Sequence, residues 1–336
     1  MRAALVLLLV GACRASPADG LAQIPLPNGD PGIGFDDLRF SSALGRMIAP
    51  AGRSGRVDLI DPATHGVASI DGFAEGISYF GGHDFGATSA DAGDGLLFVT
   101  DRTTMRIYSV DPASQRILAF ASVGSNPDYV RYVAATREAW ITEPDDERIE
   151  VFSIGADPQH TPAHVAFIAA AGGPESLVID GTRERAYTHL WGGATYAIDV
   201  HTRGIVGQWS NGCAASRGIA VDEARGFVFA GCNEGKAVVL DAAHDGAQLS
   251  TSSAGAGVDV IDYSPTLGHL YLPGADSANM AILGVSATGQ LTLLGTRATV
   301  SGGHCVAADD RGNAYVCDPD NGELLVVPDS FPASGP

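Results

Sequence analysis

The chain has 336 residues, 45% of them hydrophobic, which is enough to bury a large core and excludes extended disorder away from the ends. Thirty-nine acidic residues against 20 basic leave a formal net charge of −19, which repels phosphate backbones and anionic headgroups and so excludes general nucleic-acid binding. Forty-three glycines with only 18% charged residues suit many short strands joined by tight turns.

The first segment is a targeting sequence. Met1-Arg2 is a minimal positive region, and Ala3 to Val10 is an apolar run too short to span a bilayer as a helix. Val10-Gly11-Ala12-Cys13 then has the form of a bacterial lipobox, in which small residues precede a cysteine that becomes the lipidated N-terminus. The alternative is an ordinary secretory signal cut near Ala15 or Ala18. The expected division is a signal peptide over 1–12 and a lipidated tether over 13–21. Arg14, rather than an aspartate, follows the cysteine and points to the outer membrane. The expected location is therefore the cell envelope, with membrane contact through the lipid on Cys13 alone.

From residue 22 onward one phrase recurs: an apolar strand, a turn, a second strand, a polar loop, and a third strand ending in Asp. It reads GIAVDEARGFVFAGCNEGKAVVLDA at 218–242, LLFVTDRTTMRIYSVDP at 96–112 and HLYLPGADSANMAILGV at 269–285. Aligning the ends of the second strands gives Ala51, Asp101, Glu143, Leu190, Cys232, Gly274 and Asp318, spaced 42 to 50 residues apart. Seven anchors at this period mean seven units of about four strands each. No segment carries a helical period over several turns, which excludes a helical solenoid. The reading is an all-β, seven-bladed β-propeller over 22–330 with a short tail at 331–336.

The seventh unit has three strands, and AQIPLPN at 22–28 is a strand without a unit. It is expected to pair as the outer strand of the last blade and close the ring. Pro25 and Pro27 fit there, because an outermost strand tolerates missing N–H donors on its free side.

The cores GIAVDEARGFVFAGCNEGKAVVLDA, TREAWITEPDDERIEVFSI and ADDRGNAYVCDPDNGELLVV resemble the YVTN-type, YncE-like β-propellers of bacteria and archaea, across about residues 30–330. The tetrapeptide itself is absent, the nearest match being Phe98-Val99-Thr100-Asp101. The resemblance implies a propeller of the cell envelope. It does not imply one chemistry, since a fold hosts many functions.

The first strand of each blade lines the channel, so the residues leading into it ring one mouth. These are Asp36 and Asp37, His83 and Asp84, Asp128, Glu175, Arg217, Asp259 and His304. Convergent polar groups in a concave site make this ring the candidate ligand site. Asp37, His83 and His304 lie on neighbouring blades and form a candidate site for a divalent ion, the one cofactor the ring suggests. Arg217 could instead clamp a carboxylate through its planar fork.

Four cysteines remain after Cys13. Cys305 and Cys317 flank a hairpin turning at Asp310-Arg311-Gly312-Asn313, and Cys213 and Cys232 hold similar places in the fifth unit. Disulfides 213–232 and 305–317 are expected in an oxidising compartment, with buried free thiols as the alternative. A G-x-S-x-G elbow, a phosphate-cradling G-x-x-x-x-G-K and H-E-x-x-H are all absent.

The functional expectation is an envelope-anchored monomer that binds a small ligand or an envelope protein at its channel mouth. The alternative is a metal-dependent lactonase or hydrolase resembling the regucalcin and gluconolactonase propellers, against which the shortage of Asn at the ring positions counts. A haem or quinone propeller has no C-x-x-C-H attachment motif in its favour.

Overall fold

The computed structural model describes residues 20–334, so the targeting segment, Cys13 and most of the tether lie outside the described residues. Seven four-stranded antiparallel sheets follow one another along the chain. The first six span 39–75, 87–122, 130–169, 178–210, 216–253 and 262–298. The seventh combines three strands from 306–328 with the N-terminal strand Ala22–Pro25. The chain is an all-β, seven-bladed propeller.

Closure follows the expected pairing, with Ala22 opposite Val326 and Pro25 opposite Glu323. The strand is shorter than 22–28. Leu26 N–H still donates to the Gly322 carbonyl at 3.1 Å, but the chain then turns, with Gly29 N–H bonded to the Leu26 carbonyl. The expected second-strand ends also hold: Asp101, Glu143, Leu190, Cys232, Gly274 and Asp318 each close their strand, and only the first blade ends one residue early, at Pro50.

Three residues before each anchor stands a large side chain: Ile48, Phe98, Trp140, Tyr187, Phe229, Tyr271 and Tyr315, all buried. Alternation along a strand sends this position to one face of every blade, where it wedges against the next. Burying each contributes roughly 1.5–3 kcal/mol, so the repeat itself carries much of the stability. In blades two to six the pairing of third and fourth strands shifts register once, for example between Ser109 and Val110. Such bulges increase the local twist, as the rim of a propeller requires.

The tail does not leave the ring at Pro328. Asp329 accepts from His269 Nδ1 and Tyr271 Oη at 2.7 Å each, and Ser334 N–H reaches the Leu267 carbonyl at 2.8 Å. Residues 329–334 thus pack back on blade six. Both expected disulfides are present, Cys213–Cys232 and Cys305–Cys317, with Cα atoms 5.2 and 5.6 Å apart. Among the described residues no helix is long and apolar enough to cross a membrane.

Candidate functional site

Every blade begins its first strand on one face of the disc, here the entry face, and ends it on the opposite exit face. All connections into the first strands therefore gather round one opening of the channel.

The strongest grouping there is built on Arg102, which follows the second strand of blade two, Leu96–Asp101. Its side chain is 6% exposed. It donates to Asp36 Oδ2 at 2.8 Å, to Asp128, to the Pro127 carbonyl at 2.9 Å and to the His83 carbonyl at 3.1 Å. One guanidinium thus ties blades one, two and three. His83 Nδ1 lies 3.1 Å from Asp36 Oδ1, close enough for charge attraction although the angle is not that of a hydrogen bond.

These charges set one another's protonation. Burial opposes ionisation of Asp36, but His83 and Arg102 outweigh it and hold its carboxyl well below the usual range. Asp128 moves the opposite way: burial, and then repulsion from Asp36, push it well above that range despite Arg102. The two acids share Arg102 unequally, Asp36 holding its proton less tightly than Asp128. His83 is pushed up to about 9, chiefly by Asp36.

Across the mouth, Glu175 accepts from both Arg217 and the indole of Trp191. Burial raises its carboxyl to about 6, with Arg217 opposing. Asp259 is half-buried, and among the described residues its carboxylate accepts no hydrogen bond and makes no ion pair. Its charge is felt at His83, Tyr129, Glu175 and Arg217. Asp84 projects outward, 86% exposed and 3.5 Å from Arg102.

The mouth therefore brings together Asp36, His83, Asp84, Asp128, Glu175, Arg217, Asp259 and His304. Asp37 is not among them. Adjacent residues of an extended segment point opposite ways, so Asp37 faces into the channel. There it takes Arg131 at 2.6 and 3.0 Å and the Ser89 hydroxyl at 2.6 Å. His304 lies edge-on to His83 at 5.7 Å between ring centroids, but its two nitrogens face the carbonyls of Gly302 and Phe35 at 2.7 and 2.9 Å. The donors of Asp37 and His304 are thus already committed, and Asp37, His83 and His304 do not fit a divalent ion. Among the described residues, the groups placed like ligands are His304 with Cys305 and Cys317, and Cys213 and Cys232 with Glu234. Their sulfurs are in disulfides.

Below the mouth the channel narrows to buried side chains. Tyr129, Arg131 and Asp37 border a void of about 10 Å³, room for about one water. Beyond it the exit face opens into two basins of about 410 and 560 Å³ that share Arg39, Ile179 and Glu223.

Arg102, Trp191, Arg131 and Arg39 were not foreseen, because only the connections into first strands were read as site positions. One signal was available: Arg102 and Trp191 each come directly after a second-strand anchor, Asp101 and Leu190, and both reach an acid of the mouth.

No family model matches the chain, and neither does any curated protein sequence. Solved structures do. A chain of the mitotic checkpoint complex is 14% identical with a TM-score of 0.74, over 97% of this chain and 99% of that one. A chain of hydrazine synthase from Kuenenia stuttgartiensis is 12% identical at TM-score 0.70, covering 89% and 96%. The propeller domain of Cps50 (Swd1) from Myceliophteria thermophila is 11% identical at TM-score 0.70, covering 88% and 96%. At these identities the likeness is one of fold, that of WD40-type seven-bladed propellers.

Proposed function

We propose that the chain is a YVTN-like, lipid-tethered scaffold of the bacterial envelope that binds a cationic ligand at its entry mouth. The observation carrying this reading is the convergence of polar and charged side chains from all seven blades at one mouth, where one carboxylate, Asp259, has no ion-pair partner among the described residues. Arg102 and Arg217 are already paired with Asp36, Asp128 and Glu175, so the carboxylate left to meet a ligand is Asp259. The acidic surface adds long-range attraction for cations.

The tether supports the same orientation. Ala22–Pro25 runs toward the entry face, since Pro25 lies opposite Glu323, just after the entry-face turn at 319–322. A lipid on Cys13 would therefore approach from the exit side and leave the entry mouth facing away from the membrane.

Titration of the purified chain with oligolysine tests the reading. Saturable binding is expected that weakens with salt and falls at least about tenfold in Asp259→Asn. Equal binding by wild type and Asp259→Asn would contradict it. Separately, Cys13→Ala is expected to move the protein from the membrane to the soluble fraction.

A further inference from the structure

Blades one and two are joined by 76–86, a loop whose apolar side chains follow an unusual pattern. Ile77 and Phe80 are 94% and 93% exposed, the two most exposed large apolar side chains among the described residues. Between them Tyr79 turns inward, its ring so close over Gly32 that a Cβ there would fall 2.3 Å from it. Gly34 meets the Gly82 carbonyl equally closely, with a Cβ position 2.2 Å away.

The base of the loop is clamped as well. Arg53, 6% exposed, donates to the carbonyls of Gly76, Gly32, Asn28 and Gly29 at 3.2, 2.6, 2.9 and 2.9 Å. The loop is thus fastened at Gly76, Tyr79 and Gly82 while Ile77 and Phe80 project. Neither contributes burial to the fold, and an apolar pair held out in this way marks an interaction site. Prefixing the geometry removes ordering cost from whatever binds. The loop also borders a cavity of about 590 Å³ that reaches His83 and Asp84 of the mouth.

We propose that Ile77 and Phe80 are the apolar anchors of a protein-docking surface, and that the partner is a polypeptide segment carrying a basic side chain next to apolar ones. The basic group enters the mouth toward Asp259 while the apolar neighbours cover Ile77 and Phe80. This rests on the cationic reading of the mouth. Charge complementarity selects the partner: the net charge of −19 and the exposed Asp84 within the loop favour a basic segment and repel an anionic lipid surface.

The test uses a short peptide with one arginine flanked by leucines, and fluorescence anisotropy on the full chain. Wild type is expected to bind it, and the double variant Ile77→Ser, Phe80→Ser to bind at least about tenfold more weakly with an unchanged melting temperature. Replacing the leucines of the peptide by serine should produce a similar loss. If Asp259→Asn weakens binding but the double variant matches wild type, the mouth takes the cation alone: the docking surface is refuted while the function stands. Wild-type affinity in Asp259→Asn refutes the function, and the docking surface with it. Failure to bind up to about 1 mM overturns the docking surface. So does sedimentation with phosphatidylglycerol vesicles that is lost in the double variant, which would assign the pair to a membrane.

Discussion

The two faces of the disc are made by the same strands and carry similar numbers of acids, yet they use them differently. On the exit face, many acids close turns within their own blade. Asp61, Asp111, Asp199 and Asp241, the aspartates that end the third strands, accept backbone N–H groups two or three residues on. Asp180, Asp222 and Asp309 do the same after the first strands. On the entry face, Asp36, Asp128 and Glu175 instead pair with arginines of other blades. Both disulfides are there too, joining the residue before or near the first strand to one at or near the end of the second. The exit face is built mainly from local turns, with cross-blade pairs such as Arg203–Glu138 and Arg137–Asp94, and the entry face adds a buried guanidinium that ties three blades. A high acid count therefore marks a site only where those acids are not already spent on the backbone.

The contrast predicts a gradient of effects. Arg102→Met should be the most damaging single change, because it leaves Asp36 buried without its guanidinium; about 3–5 kcal/mol of stability should be lost in urea unfolding. Opening the Cys305–Cys317 bridge by Cys305→Ser, Cys317→Ser should cost about 2–4 kcal/mol in thermal unfolding under oxidising conditions. On the exit face, Asp309→Ala frees the N–H groups of Arg311 and Asn313, the Asn313 amide and the Tyr315 hydroxyl, and should cost about 1–3 kcal/mol. An exit-face loss equal to that of Arg102→Met would break the comparison.

The smallest effect concerns pH. His83 titrates near 9 in the folded chain against 6.5 for the free side chain, so the folded state holds this proton more tightly. Its contribution is complete below pH 6.5 and is lost as pH rises through about 9. His83→Gln should flatten the stability profile over that window, and an unchanged slope would remove His83 from the electrostatic group.

The propeller was legible because its signals are local and repeated. Turn residues and apolar strands recur at one period, so Asp101 or Cys232 can be placed without knowing any distant contact. Even the ring closure followed from counting strands. The site was legible only as a list of positions. Asp36 and Asp37 are neighbours in sequence, and which of them meets His83 depends on the direction of a side chain, which the chain order does not encode. Arg102 was hidden for a related reason: its partners are 66 residues before it and 26 after it, joined only once the ring closes. The projection of Ile77 and Phe80 likewise depends on Tyr79 packing over Gly32, a contact between two separate segments.

Hydrogen exchange of the chain with and without oligolysine tests the central claim, that the entry mouth is the binding face. Protection is expected at 76–86 and at the backbone around Asp128, Glu175, Arg217 and Asp259, with exit-face turns such as that at Asp309 unchanged. Protection centred on Arg39 and Glu223 of the exit basins, with the entry mouth unaffected, would contradict it.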